Sequence, residues 1–194
     1  MVMSFTQLLA KEYKGKLDGN ADRFIATAVE GAERMETLLR DLREFWSVNE
    51  QKLHSPVSVD CNRVFDRALQ LLVIPIRDKA GRITSDPLPT IFAEEPPLVM
   101  LLQNLIGNSL KYHRPNDAPQ VHVSAERGTG EWNFLVGDNV IGIEPEQTQT
   151  IFAPFKRLHG GEVPGSGLGL AICERVAHRF GGRIWVESQY GEGS

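Results

Sequence analysis

The chain has 194 residues, of which 41% are hydrophobic and 24% charged, a composition typical of a globular protein with a buried core and one or two domains. Its net charge of −4, without a run of basic and aromatic residues, argues against a nucleic-acid-binding module. No segment approaches the roughly 20 apolar residues of a membrane span and none resembles a secretion signal, so we expect a cytoplasmic piece that reaches a membrane only through regions outside this chain.

The N-terminal part of the chain is predicted to form an antiparallel helical hairpin. Turn-forming residues around Gly15 and Asp18 separate a first helix, ending near Tyr13, from a second helix over residues 21–48. Apolar residues of the second helix recur at alternating steps of four and three, as in a coiled coil: Phe24, Ala28, Gly31, Met35, Leu38, Leu42 and Phe45. This stripe favours a homodimer through residues 1–48, as half of a four-helix bundle, and a hairpin packed onto its own domain is the alternative.

A domain boundary is predicted at residues 49–56, where the helical periodicity stops and His54, Ser55 and Pro56 follow. It divides the chain into a hairpin of residues 1–50 and a second domain of residues 56–194. Strand patterns in the second domain are found at residues 57–59, 82–85, near 91, 121–126, 132–137 and 183–187. Helical patterns are found at residues 62–79, 96–112 and 168–180.

These patterns predict an α+β protein in which a helical hairpin precedes a two-layer α/β sandwich with a mixed sheet. Asp60 can cap the first helix of the sandwich, and Pro75 should kink that helix or break it. Pro96 and Pro97 suit the first turn of the next helix, and Pro115 ends it. We expect the last edge strand of the sheet to lie beyond Ser194.

The helix at residues 96–112 carries a polar face on an otherwise apolar segment. Asn104, Asn108 and Lys111 stand at i, i+4 and i+7 and therefore share one side. The other side carries residues suited to a core: Leu101, Leu102, Leu105, Ile106 and Leu110. Two amides and an ammonium could hold a hydrated cation and a phosphate, and a solvated helix face without a ligand is the alternative.

An acidic residue follows the predicted strand 132–137, in the sequence Asp138-Asn139-Val140-Ile141-Gly142-Ile143. A carboxylate at this strand end could accept a hydrogen bond from an exocyclic amine such as that of adenine, and Gly142 would let a flat base approach the backbone. An aspartate that only caps a loop is the alternative.

A glycine-rich stretch, Gly165-Ser166-Gly167-Leu168-Gly169-Leu170, leads directly into the last helix. Free backbone N–H groups and the positive end of the helix dipole then lie beside a flexible turn, which is typical of a phosphate-binding loop. The spacing is neither that of a Rossmann fingerprint nor that of a Walker A loop, and an ordinary start of a helix is the alternative. Ahead of it, aromatic residues in Phe152 to His159 and the glycines that follow predict a mobile lid.

The order of these four stretches resembles the ATP-binding domain of sensor histidine kinases, whose superfamily includes the gyrase, mismatch-repair and heat-shock chaperone ATPases. The stretches resemble the family's sequence boxes: Asn104 to Tyr112 the N box, Asp138 to Ile143 the G1 box, Phe152 to Leu158 the F box and Gly165 to Leu170 the G2 box. Arg114-Pro115 and residues 156–159 are most similar to the phytochrome-related branch.

The resemblance implies that ATP and Mg²⁺ are the cofactors. It assigns magnesium to the amides of Asn108 and Asn104, and the adenine amine to Asp138. The other residues implied to contact the nucleotide are Lys111, Tyr112, Gly142, Lys156, Arg157, Gly165, Ser166, Gly167, Leu168 and Gly169. Their roles are to neutralise or cradle the phosphates, to line the base and, for Lys156 or Arg157, to approach from the lid.

The resemblance also implies a reaction and its partners. The γ-phosphoryl group of ATP would pass to a histidine upstream of this chain and then to an aspartate in the receiver domain of a response regulator. None of His54, His113, His122, His159 and His178 has the sequence context of the phosphoacceptor. We therefore expect that this fragment does not autophosphorylate by itself.

Val140 stands where the family usually has the first glycine of the G1 box. A glycine there signals a positive φ or a close approach, and both are unfavourable for a β-branched residue. If Val140 keeps a positive φ, the turn is strained; otherwise the loop relaxes and displaces Asp138 or Gly142 from the base. Either outcome would weaken nucleotide binding. A degenerate dimeric scaffold with weak nucleotide binding is thus the alternative function. A chaperone-type ATPase fits less well, because its general base would be a glutamate where this chain has Asn104.

Overall fold

The computed structural model describes residues 1–50, 56–114, 117–158 and 165–194. Parts of the predicted boundary (His54, Ser55), of the helix end (Pro115) and of the lid (residues 159–164) therefore lie outside the described residues. The described elements are α1 Val2–Tyr13, α2 Gly19–Glu50, β1 Val57–Asp60, α3 Cys61–Leu71, α4 Val73–Asp78, β2 Arg82–Ser85, β3 Thr90–Ala93, α5 Glu95–Lys111, β4 Gln120–Arg127, β5 Trp132–Asp138 and α6 Gly169–Arg179. The predicted α+β class is confirmed.

Helices α1 and α2 form the predicted hairpin. Gly15 adopts a φ of +73° in the turn, and its N–H donates to the carboxylate of Asp22 at 3.1 Å. Asp18 accepts a hydrogen bond from the N–H of Ala21 at 2.8 Å, which satisfies a free donor at the start of α2. Large apolar side chains remain exposed toward the N-terminal end of α2, among them Phe24 and Met35.

The second domain contains a mixed sheet, as predicted. Strand β4 lies between β2, with which it is parallel, and β5, with which it is antiparallel, while β1 and β3 form a separate antiparallel pair. Helices α3 and α5 cover one side of this layer and share a buried core with it, built around Val64, Ile106, Leu110, Val121 and Val123. Within the described residues, no helix is both long and apolar enough to span a bilayer.

The first helix of this domain is capped and broken at the predicted residues. The Asp60 side chain accepts from the N–H of Asn62 at 2.9 Å, which confirms the cap. The helix ends at Leu71 and resumes as α4, because Pro75 has no N–H to donate to the carbonyl of Leu71.

The predicted strand at residues 183–187 is wrong. This segment has no strand pairing, although Ile184 and Val186 are half-buried and alternate with exposed residues as the pattern requires. A period of two reports which side chains are covered, whereas a strand also needs a neighbour for its backbone hydrogen bonds. Among the described residues, β5 pairs only with β4.

The C-terminal part of α2 packs against α6. Phe45 of α2 is buried with Leu168, Ile172 and Val176, next to Leu42. The guanidinium of Arg175 lies 3.5 Å from the centre of the Phe45 ring and donates to the Phe45 carbonyl at 3.1 Å. The hairpin is therefore packed onto the rest of the chain along the C-terminal part of α2, whereas apolar side chains nearer the N-terminus of α2, such as Phe24 and Met35, remain exposed.

Candidate functional site

The polar face predicted on α5 is present. Asn104 and Asn108 are half-buried and Lys111 is exposed, whereas Ile106 and Leu110 on the other side are fully buried. The apolar residues hold the helix against the sheet, and this fixes the direction of the polar residues.

The side chain of Asn104 is oriented by its own helix toward the start of α6. Its Nδ2 donates to the carbonyl of Met100 at 2.9 Å, which leaves Oδ1 directed at Gly169. A Cβ at Gly169 would lie only 2.8 Å from this oxygen. A larger residue at the start of α6 would therefore displace the Asn104 side chain, and the polar face of α5 meets the N-terminus of α6 at this point.

The glycine-rich loop packs on the stretch predicted to hold one end of the lid. Gly167 has a φ of +75°, and a Cβ there would lie 2.8 Å from the carbonyl carbon of Phe155 and 2.9 Å from the carbonyl oxygen of Lys156. Both the left-handed conformation and the close approach require glycine. The N–H of Leu168 donates to Oγ of Ser166 at 3.1 Å, so the loop also has an internal hydrogen bond.

Asp138 lies at the end of β5 as a half-buried carboxylate with several donors. Ser109 of α5 donates to Oδ2 at 2.6 Å, and the N–H groups of Ser194 and Val140 donate to Oδ1 at 3.1 and 3.4 Å. Burial raises the pKa of Asp138, and the hydrogen bonds from Ser109, Ser194 and Val140 oppose this shift. The carboxylate is thereby fixed in position beside α5.

The turn after Asp138 is held by the C-terminal segment. Gly142 has a φ of +74°, and a Cβ there would lie 2.3 Å from the carbonyl oxygen of Gln189. The N–H of Gly191 donates to the carbonyl of Ile141 at 2.8 Å, and Arg114 donates to the carbonyls of Val140 (3.4 Å) and Gly191. The positive φ and the close approach of Gln189 both require glycine at residue 142.

The expectation of a strained Val140 is wrong. Among the described non-glycine residues, only Ala80 and Phe155 have a positive φ. Val140 is 6% exposed, so its side chain is buried, and its N–H still reaches the carboxylate of Asp138. The positive φ of this turn falls on Gly142, so a β-branched residue is accommodated at residue 140.

Residues 93–194, more than half of the chain, match the family described as histidine kinase-, DNA gyrase B-, and HSP90-like ATPase. The chain belongs to this ATPase family. Its four sequence boxes all fall within the matched residues, so the resemblance inferred from them is confirmed.

Relatives of this ATPase domain include sensor proteins of cyanobacteria. Cyanobacterial phytochrome A of Nostoc sp. is 43% identical over 194 residues, and phytochrome-like protein Cph1 of Synechocystis sp. is 36% identical over 194 residues. The chain spans only 25% and 26% of the length of these curated relatives. The crystal structure of full-length ShkA in complex with AMPPNP superposes with a TM-score of 0.72 at 27% identity, over 99% of this chain and 40% of ShkA. The ATPase domain is therefore homologous to those of phytochrome histidine kinases.

Two polar contacts of the ATPase domain involve residues that the sequence analysis did not select. Ser109 donates to Asp138, and Ser166 donates to Asp41 of α2 at 2.5 Å. Ser109 has a signal in the sequence, because it is a polar residue on the core side of α5. Asp41 has no such signal in the sequence, because its partner Ser166 lies 125 positions away.

The predicted cationic residues differ in exposure. Lys111 and Lys156 are exposed, and Arg157 is half-buried. The carbonyl of Tyr112 accepts from the N–H of Ile141 at 3.3 Å, which links the end of α5 to the G1 box. The structure thus brings Asn104 to the G2 box and Tyr112 to the G1 box.

The residues present fit a magnesium ion that is shared with phosphate groups. Amide oxygens such as Oδ1 of Asn104 are hard ligands, and this oxygen faces the N-terminus of α6, where anions are favoured. Among the described residues there is no cluster of three or more His, Cys, Asp and Glu side chains able to hold a metal ion. Mg²⁺ commonly keeps several waters and uses few protein ligands together with phosphates, and this donor set is of that kind.

Proposed function

We propose that this chain is the catalytic ATP-binding portion of a sensor histidine kinase together with most of its dimerisation hairpin. The observation that carries the proposal is the meeting of Asn104 Oδ1 with Gly169, which puts a metal-binding amide against a helix N-terminus suited to phosphate. Homology to phytochrome histidine kinases supports the same function.

In this proposal the nucleotide lies between α5 and the G2 box. Asn108 and Asn104 hold Mg²⁺, which supplies positive charge to the β- and γ-phosphates when it is bound. Lys111 neutralises further phosphate charge, and Tyr112 packs beside the nucleotide. The residues that cradle the phosphates or approach from the lid are Gly165, Ser166, Gly167, Leu168, Gly169, Lys156 and Arg157.

Asp138 reads the base at the other end of this site. Its carboxylate accepts a hydrogen bond from the exocyclic amine of adenine, which its position at the end of β5 and its fixed orientation support. The site therefore has a base-reading end at Asp138 and a phosphate end at Gly169. Both are attached to α5, through Ser109 and Asn104 respectively.

The reaction is phosphoryl transfer in two steps. A ring nitrogen of a histidine outside this chain attacks the γ-phosphorus, the bond from that phosphorus to the β–γ bridging oxygen breaks, and ADP leaves with the bond electrons. An aspartate of a receiver domain then takes the phosphoryl group from the phosphohistidine. The chain contributes positioning and charge neutralisation.

The helical hairpin, residues 1–50, dimerises through residues 1–48, and residues 56–194 form the ATP-binding domain. The exposed apolar residues of the hairpin support this: they include Phe5 and Leu8 of α1 and Phe24 and Met35 of α2. Function in the cytoplasm follows from the need for ATP and a receiver domain. The alternative function, a degenerate dimeric scaffold with weak nucleotide binding, has less support, because Val140 is not strained.

Phosphoryl transfer to a supplied acceptor tests the proposal. The chain is incubated with Mg-ATP labelled at the γ-phosphate and with a separate helical polypeptide that carries an acceptor histidine followed by an acidic residue. We expect acid-labile phosphate on the wild-type acceptor, none on its His→Gln variant, and background on the chain itself. Phosphohistidine on any of the five histidines of this chain would contradict the assignment of the acceptor.

A further inference from the structure

Ser109 is a buried polar residue on the core side of α5. It is 3% exposed, and its helix neighbours Ile106 and Leu110 belong to the core. A hydroxyl buried in a helix is unfavourable unless it is hydrogen-bonded, and alanine has the higher helix propensity. The Ser109 hydroxyl has two acceptors within reach, Oδ2 of Asp138 at 2.6 Å and the carbonyl of Leu105 at 3.3 Å.

The shorter of these contacts has the geometry of a bond to an ionised carboxylate. A separation of 2.6 Å lies in the range of charge-assisted O–H···O⁻ hydrogen bonds, so the Ser109 hydrogen is directed to Asp138. Since an ionised carboxylate only accepts hydrogen bonds, this contact favours the charged form of Asp138.

Among the residues that the structure describes, the donors to Asp138 leave one acceptor position open. The N–H groups of Ser194 and Val140 both donate to Oδ1, at 3.1 and 3.4 Å, and so use both lone pairs of that oxygen. Ser109 uses one lone pair of Oδ2. The second lone pair of Oδ2 is then available to a ligand, in a direction that Ser109 determines.

We propose that Ser109 is a positioning residue that sets the base selectivity of this site, by holding Asp138 ionised and oriented to accept the exocyclic amine of adenine. The inference rests on the proposed function, in which Asp138 reads the base. Without the Ser109 hydroxyl, the carboxylate is free to rotate or to take up a proton. A protonated carboxyl donates, and so suits a purine with a keto oxygen in place of the amine.

The test compares ADP with inosine diphosphate, in which that amine is replaced by a keto oxygen. Both are titrated calorimetrically with Mg²⁺ into the wild type, Ser109→Ala and the control Ser124→Ala, which removes a half-buried hydroxyl from β4. We expect the wild type to prefer ADP, and Ser109→Ala to lower the ADP-to-IDP affinity ratio by about ten- to a hundredfold, as for the loss of one charge-assisted hydrogen bond. Ser124→Ala should keep the wild-type ratio.

Two further variants separate positioning from folding. Ser109→Cys keeps the size of the side chain with a much weaker donor, and it should lower the ratio as Ser109→Ala does even if the alanine variant folds poorly. In an Asp138→Asn background, Ser109→Ala should leave the ratio unchanged, because the serine acts only through the carboxylate.

The possible failures are distinguishable. A Ser109→Ala variant with the wild-type ratio overturns the inference and leaves the proposed function standing. A wild type that binds Mg-ADP and Mg-IDP equally overturns the inference together with the base-reading role of Asp138, and leaves the phosphoryl-transfer function standing. An equal fall of the ratio in both backgrounds also overturns it, because Ser109 would then act on the fold and not on Asp138. A wild type that binds neither nucleotide overturns the proposed function and the inference together.

Discussion

The hydroxyl of Ser166, in the G2 box, donates to the carboxylate of Asp41 on the hairpin helix α2 at 2.5 Å. The same hydroxyl oxygen accepts the N–H of Leu168 at 3.1 Å, so the loop proposed for phosphate binding is tied to the hairpin. Asp41 also contributes to the raised pKa of Glu44, for which burial is the larger cause. A negative charge of the hairpin therefore lies next to a site for negatively charged phosphates.

Replacing Asp41 by Asn should strengthen nucleotide binding. The amide keeps the size of the side chain and its acceptor oxygen but removes the charge that repels phosphate. We expect ATP affinity to rise by about three- to tenfold, the effect of one unit charge at a partly exposed site. The matched control is Glu33→Gln, which removes one exposed negative charge from the same helix. Equal affinities for the two variants, measured by calorimetric titration, would show that Asp41 is not coupled to the phosphates.

The exposed stripe of the hairpin should form a dimer interface. Met35 is 53% exposed in the single chain, and a charge placed there would be buried without a partner in a four-helix bundle. Light scattering should give twice the chain mass for the wild type and the monomer mass for Met35→Glu. Ala26→Glu, an exposed residue on another side of α2, should remain dimeric. A monomeric wild type at tens of micromolar would count against this interface.

Changing Val140 to Gly should destabilise the fold without tightening nucleotide binding. The variant loses a buried side chain and gains backbone freedom, which together cost about 1–3 kcal/mol. The melting temperature without ligand should therefore fall, and that of Val140→Ala should lie between those of the wild type and Val140→Gly. A glycine variant that binds ADP more tightly at an unchanged melting temperature would restore the interpretation of Val140 as a strained residue.

The affinity for adenine nucleotides should fall on acidification. The fall should begin at a higher pH than the one at which an ordinary, exposed aspartate takes up a proton. Burial raises the pKa of Asp138, and only its ionised form accepts the adenine amine. Because the pKa of Asp138 is higher in the folded than in the unfolded state, the native state without ligand binds more protons than the unfolded state. The contribution of Asp138 to stability is therefore present below the unfolded-state pKa and is lost as the pH rises through the folded-state pKa.

The pH dependence is measured as the difference between the wild type and Asp138→Asn. The variant keeps every other ionisable group of the chain, so the difference between the two pH profiles isolates Asp138. Parallel pH profiles for the two proteins would contradict a role for this carboxylate.

Local patterns predicted much of the fold and of the site. The i, i+4 spacing gave Asn104 and Asn108 a common face, and Asp60 and Pro75 set the start and the break of a helix through their own backbone chemistry. Gly167 of the G2 box was also recognisable, because its positive φ and the close approach of the Phe155 and Lys156 backbone require glycine.

Contacts between distant segments were not predictable in the same way. The Asp41–Ser166 hydrogen bond depends on how α2 packs on α6, which no local pattern reports. The segment at residues 183–187 has the alternation of a strand but no paired neighbour in the described part of the chain. At Val140, a rule for glycine was applied to a residue whose backbone does not need it, since the positive φ belongs to Gly142.

The magnesium dependence of nucleotide binding tests the central claim most directly. ADP is titrated calorimetrically, with Mg²⁺ and with a chelator, into the wild type, Asn108→Ala and the control Gln103→Ala, which removes a half-buried amide from the same helix. We predict one nucleotide per chain, with binding that Mg²⁺ strengthens in the wild type and in Gln103→Ala. Asn108→Ala should lose most of that gain at an unchanged melting temperature without ligand. No binding by the wild type, or the full magnesium gain in Asn108→Ala, would contradict the site proposed between α5 and the G2 box.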